Sequence, residues 1–293
     1  MSTTPAGKPG FVDWLLNVEP SEPGELRLVE DLGPKGRRRA LIGTTLITAL
    51  FVLAAIWVIR RFQVKGQFAP QLWRPFRVWS TWRYLLLGLA NTLKVAVIAT
   101  ILSVAIGITM ALLRGGPVKR ARIGSTIYTE LFRACALVLL ITFSFAQLPH
   151  VIAGWTLESY AFAALIIGLT LYYSTVFAEV VRSGIRSIPK GQSEAGMSIG
   201  LSESRALRLI VLPQAIRRAL PNIVTQIASL TKDTSLGYLV TYTELLYRAD
   251  IFGSFGENKL QTLIVAGAMY IAVIALMTSF ANRLKRRQRR VRR

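Results

Sequence analysis

The feature that most limits this chain is the length of its uncharged apolar runs. Crossing the ~30 Å hydrocarbon core of a bilayer takes about 20 helical residues at roughly 1.5 Å each. Residues 40–59 lie uncharged between Arg39 and Arg60, 134–156 between Arg133 and Glu158, 159–178 between Glu158 and Glu179, and 260–282 between Lys259 and Arg283. The run 84–113 is broken only by Lys94, and 220–243 holds Lys232 and Asp233 near its middle. Soluble proteins bury apolar helices of roughly 10 to 14 residues. Six longer runs argue against a soluble fold and predict an all-α membrane protein with six transmembrane helices.

A formal net charge of +21 then needs a membrane explanation before a nucleic-acid one. Lys and Arg collect in cytoplasmic loops. The tail 283–293 is densely basic, which stops transfer and attracts lipid headgroups. Arg114, Lys119, Arg120 and Arg122 mark an inside loop, and 181–219 carries seven basic residues. The segment 144–158 has no Lys or Arg and should face outside. Both termini are therefore expected in the cytoplasm. The connection 60–84 opposes this scheme, because it should lie outside yet carries six basic residues. Trp73, Phe76, Trp79 and Trp82 recur there every third residue, which predicts a helix lying at the membrane interface. The expected organisation is a flexible cytoplasmic tail (1–39), an N-terminal span (40–59), the interfacial segment (60–84), a five-helix core (85–282) and a basic cytoplasmic tail (283–293).

Reactive chemistry is sparse. Cys135 is the single cysteine and His150 the single histidine, so no disulfide or Cys-rich metal framework exists within the chain. No phosphate loop of the G-x-x-x-x-G-K-[ST] type is present, and "RGGPVKR" (114–120) lacks its spacing. No paired carboxylates and no nucleophile–His arrangement stand out. No catalytic residue, cofactor or metal is expected, and energy for any transport must come from a partner.

The stretch "GQSEAGMSIGLSESRALRLIVLPQ" (191–214) predicts two short helices joined by a turn. Pro189 can open the first helix, and Gly200 supplies the left-handed residue that ends it. Ser202 can cap the second, Glu203 suits its first turn, and Pro213 should end or kink it. A DNA-reading helix-turn-helix has the same outline, but this one is tethered to the bilayer on both sides. A nucleic-acid partner is not expected.

The order Glu194-Ala195-Gly196, then Gly200, then Ile210-Val211-Leu212-Pro213 resembles the signature of bacterial ABC importer permeases. That family usually has a second Ala at Gly196. "AEVVRSGIRSIPKGQSEAG", "VLPQAIRRALPNIV" and "LTKDTSLGYLV" are similar to its polar amino-acid subfamily, over about 88–283. In "ELFRACALVLLITF" the subfamily usually has Phe-Arg-x-x-Pro, and Ala136 removes the proline that would kink the chain. The extra N-terminal span, with "GPKGRR" and "VKGQ", resembles the actinobacterial glutamate permeases more than the histidine or glutamine ones. The resemblance implies a five-helix permease core, a second permease subunit, an ATP-binding subunit and an extracellular solute-binding protein. It also implies that Glu194, Ala195, Gly196, Gly200, Ile210, Leu212 and Pro213 form the element that couples to the ATPase. A secondary transporter or a channel is the alternative, though no internal repeat or filter-like segment supports either.

Ionisable residues inside a bilayer are costly unless paired or hydrated. Lys232 and Asp233, with the hydroxyls of Thr234 and Ser235, are the candidate contacts for an amino-acid substrate. As helix neighbours they point about 100° apart, so each is expected to find its own partner. A structural network holding this span to its neighbours is the competing role. Glu179 and Arg182, three residues apart, are expected to pair, and Arg133 to anchor at the interface.

Overall fold

The computed structural model describes residues 34–116 and 118–290, apart from the side chains of 34, 35, 37 and 284–290. Most of the expected flexible tail, 1–33, lies outside the described residues, as do 117 and 291–293. The chain divides into two compact units, 1–65 and 66–293.

The first unit contains one described helix, α1 (Pro34–Val64). Proline opens it, where a missing N–H costs nothing. Within its stretch Arg38–Val64, which covers the expected run 40–59, the most apolar 18 residues have a mean hydropathy of 2.4.

The second unit begins with a 3₁₀ turn, Pro70–Arg77. The expected interfacial helix over 60–84 is replaced here, because Pro75 cannot donate the N–H an α-helix would use. Phe76 turns inward, 6.5 Å from the Trp82 ring and 6.3 Å from Phe252. The Trp82 indole donates to Phe76 O at 2.8 Å. Helices α2 (Trp79–Gly115), α3 (Lys119–Ala134), α4 (Leu137–Val151) and α5 (Leu157–Arg186) follow. Two short helices, α6 (Lys190–Ser198) and α7 (Glu203–Ala206), lead through a π-turn (Leu207–Val211) into α8 (Leu212–Asp233). A 3₁₀ turn (Thr234–Val240), α9 (Leu245–Phe255) and α10 (Lys259–Arg290) complete the described chain.

The core of this unit lies between α2, α5 and α8, built from Val95, Ala99, Leu165, Leu169, Phe177, Ile223 and Leu230. Helices in lipid gain little from apolar burial and associate through close contact of small residues. Gly107 on α2 shows this, since a Cβ there would stand 2.8 Å from Phe177 Cβ and 2.9 Å from Ser174 O. Some buried hydroxyls are satisfied within their own helices, as where Thr231 Oγ1 donates to Ile227 O at 2.8 Å.

The expected count of six spans is not confirmed. Among the described residues four single helices are long and apolar enough to cross, those containing 38–64, 79–115, 157–186 and 259–283, and a fifth only if α3 and α4 form one bent span. The expected span 134–156 is the 15-residue α4, about 22 Å long. It meets α3 at 97°, where Cys135 and Ala136 are both extended. The bend forms without the proline that the sequence pattern associates with it. The expected span 220–243 ends as α-helix at Asp233 and tightens into the 3₁₀ turn, which Thr241 terminates at φ +59°. Helix α3 itself occupies what the charge pattern marked as an inside loop.

Candidate functional site

The helix-turn-helix forms as the spacing predicts, with two changes. Helix α6 closes in a Schellman turn: Gly200 N–H donates to Met197 O at 2.9 Å and Leu201 N–H to Gly196 O at 3.2 Å. Gly200 carries φ +88°, where a side chain is strained. Gly196 is buried, and a Cβ there would meet Ile210 Cδ1 at 2.7 Å and Ala206 Cβ at 3.1 Å. Gly196 and Ile210 therefore form the inner clamp that closes the two helices on each other.

Ser202 caps α7 without its hydroxyl; its carbonyl accepts from Ala206 N–H at 2.9 Å. Pro213 neither ends nor breaks the second helix. Leu212 N–H bonds Leu207 O, five residues back, and this wide π-turn relieves the crowding a proline ring creates in α geometry. The helix then continues as α8 with Pro213 in its first turn.

The outward face of this element carries Glu194 and Ala195, with Met197 (42% exposed), Ile199 (77%) and Leu209 (65%). Leu212 is half-buried. Behind it, Ile188, Val211 and Ala215 pack together, Gln214 Nε2 donates to Gln192 Oε1 at 3.1 Å, and Arg218 donates to Ser187 O. The element is thus a stiff projection with an exposed apolar tip.

The four candidates 232–235 fall at the junction of α8 and the 3₁₀ turn. Asp233 accepts from the Tyr173 hydroxyl of α5 at 2.7 Å. Thr234 is buried and its hydroxyl donates to Thr231 O at 2.7 Å, while Ser235 is half-buried. Lys232 has a side chain 65% exposed, and its Nζ lies 3.7 Å from Asp233 Oδ1. The expectation of separate partners holds for Asp233, which finds Tyr173. It fails for Lys232, whose long stem bends back to its own neighbour.

Three charged sites were not singled out as such from the sequence. Glu179 pairs with Arg182 at 2.7 Å as expected, but Arg133 and Arg114 also approach it, each at 3.8 Å, from α3 and α2. Glu244 is fully buried and caps α9, accepting from Leu246 N–H (2.8 Å), Tyr247 N–H (2.7 Å) and the Tyr270 hydroxyl (2.5 Å). Its signal was visible: a carboxylate directly before "LLYRADIF", in the position that caps a helix. Lys94 stands 4.8 Å above the Phe162 ring.

A bundle of apolar helices carrying a capped helix-turn-helix between α5 and α8 defines a class of membrane transport component. Over residues 103–290 the chain matches the binding-protein-dependent transport system inner membrane components, and it belongs to that family. It is 36% identical over 228 residues to the glutamate transport system permease protein GluD of Corynebacterium glutamicum, covering 76% of this chain and 82% of that one. It is 39% identical over 204 residues to the probable glutamine ABC transporter permease protein GlnP of Bacillus subtilis, covering 69% and 92%. The fold resembles a chain in the crystal structure of an amino acid ABC transporter with histidines. That match has a TM-score of 0.64 at 24% identity, over 71% of this chain and 95% of that chain.

Proposed function

We propose that this chain is the transmembrane subunit of an ATP-driven importer whose substrate is glutamate or another polar amino acid. The supporting observation is the helix-turn-helix at 190–213: locally closed, braced from behind and tipped with exposed apolar side chains. Such a projection suits insertion into a cleft on an ATP-binding subunit, through Glu194, Ala195 and the turn at Gly200. This chain hydrolyses no ATP itself. It works with a second permease subunit and an extracellular binding protein that delivers the amino acid. Both termini and the helix-turn-helix lie in the cytoplasm, and 60–84 rests at the outer interface.

Two measurements test this. The complex, reconstituted in vesicles, should take up glutamate only with ATP and the ATP-binding subunit; uptake driven by an ion gradient alone would support the secondary-transporter alternative. With Cys135 replaced, single cysteines at His150 and Ser254 should react with an impermeant thiol reagent in intact cells, and one at Ser2 should not. Labelling at position 2 would invert or remove α1.

A further inference from the structure

A cleft opens where the end of α2, the first half of α3 and the last third of α5 meet. Its volume is about 370 Å³, and it is lined by Arg114, Arg122, Ile123, Thr126, Ile127 and Arg182. The carboxylates nearby do not balance its arginines. Glu179 serves Arg182 at 2.7 Å and is shared at 3.8 Å by Arg114 and Arg133, while Glu130, among the described residues, pairs with Arg114 alone, at 3.4 Å. Arg122 is exposed and, among the described residues, makes no ion pair. Positive charge is therefore in excess around a concave surface, and guanidinium groups match phosphate oxygens in pairs.

An apolar lane leads away from those arginines. Ile123, Ile127 and Leu131 follow one another at intervals of four on α3, which places them on one helix face. They are 48%, 60% and 55% exposed. Cationic residues beside an exposed apolar stripe are the pattern of a helix that binds lipid surfaces. A free phosphate would engage the arginines and leave the stripe bare; a phospholipid uses both. A zwitterionic headgroup brings its own cation against the arginine excess, so an anionic one fits better.

We propose that this cleft holds the headgroup phosphate of an anionic phospholipid, with an acyl chain along Ile123, Ile127 and Leu131. Helix α5 runs into the helix-turn-helix through residues 187–189 alone, so the lipid belongs to the leaflet on that side of the protein. The proposal does not depend on which solute is carried.

The test uses the full chain purified in micelles containing equal phosphatidylglycerol and phosphatidylcholine, with retained lipid read by native mass spectrometry. The basic tail is present in every variant, so differences report on the cleft. The wild type should retain phosphatidylglycerol in preference to phosphatidylcholine. Arg122→Gln should lower that retention several-fold, Arg122→Lys should restore only the part that charge alone supplies, and Ile127→Ser should also lower it. Both positions are exposed, so unfolding is not expected, and coincident thermal melts check this. Excess inorganic phosphate should leave retention unchanged. Equal retention by the wild type, Arg122→Gln and Ile127→Ser would overturn the proposal, as would equal retention of the two lipids. Displacement by phosphate, with Ile127→Ser behaving as the wild type, would instead assign the cleft to a free anion.

Discussion

At its first end α8 grows out of an element shaped mainly by bonds that close nearby. The Schellman turn at Gly200, the clamp between Gly196 and Ile210 and the π-turn at Leu207–Val211 lie within a single stretch of sequence. At its last end, roughly 33 Å away along 22 residues, the same helix is held by something distant: Asp233 accepts from Tyr173, sixty residues earlier in the chain. One end is shaped by backbone geometry and the other by a single long-range side-chain bond. The first should therefore fail through a backbone substitution, the second through loss of one polar group, and neither failure should spread along α8 to the other end.

The largest effect is expected at the turn. Gly200→Val puts a β-branched residue at φ +88°, in a region that costs even ordinary L-residues roughly 1–2 kcal/mol. The protein should still insert, but stimulated ATP hydrolysis and uptake should fall about tenfold or more, since 1.4 kcal/mol is about a factor of ten. Normal ATP-driven uptake by this variant would remove the docking role.

Next comes Asp233→Ala, which leaves the hydroxyl of Tyr173, itself only 3% exposed, without its acceptor. A buried unsatisfied group costs about 1–3 kcal/mol. Thermal unfolding should register that loss, and a Tyr173→Phe background should recover much of it. Equal destabilisation in both backgrounds would mean the bond does not anchor this end.

Lys232→Ala is expected to change stability by less than about 0.5 kcal/mol, because the side chain is mostly exposed. If Lys232 meets the substrate, the variant should still take up less of an acidic amino acid with assembly intact. Wild-type rate and affinity for glutamate would assign the whole 232–235 stretch to structure. Gly196→Ala should instead stabilise, by the helix propensity it gains, less the cost of moving the flexible tip of Ile210 and easing the contact with Ala206 Cβ, a net of roughly a few tenths of a kcal/mol at most. A lower melting temperature would show that Ile210 is fixed.

The same local-against-distant contrast decides what could be read in advance. The turn at Gly200 was legible because its requirement, a residue tolerant of positive φ between two short helices, sits in adjacent letters. Pro213 does not end the second helix, one of the two outcomes expected of it, because the rule for proline assumes α geometry and the π-turn before it changes that geometry. The break at Cys135–Ala136 was obscured for another reason: the proline that the subfamily usually has there is absent, and two extended residues make the 97° bend without it. Of the three arginines around Glu179, only Arg182 is a near neighbour in sequence. Arg114 and Arg133 arrive on other helices, so the shared carboxylate emerged only from packing. Tyr173 escaped notice likewise, as a tyrosine in an apolar run gives no sign of the partner its hydroxyl will choose.

The π-turn also sets a phase. Successive α-helical residues are about 100° apart around the axis, and the extra residue held between Leu207 and Leu212 fixes how the helix-turn-helix is rotated relative to α8. A chain one residue shorter here would close as ordinary α-helix and carry Met197, Ile199 and Leu209 round by about a quarter turn. Every side chain at the tip would be unchanged, yet the tip would face a different direction. The joint is thus a matter of counting: the direction in which the tip faces rests on the number of residues between the two elements, and a single deletion there should turn it more surely than most substitutions.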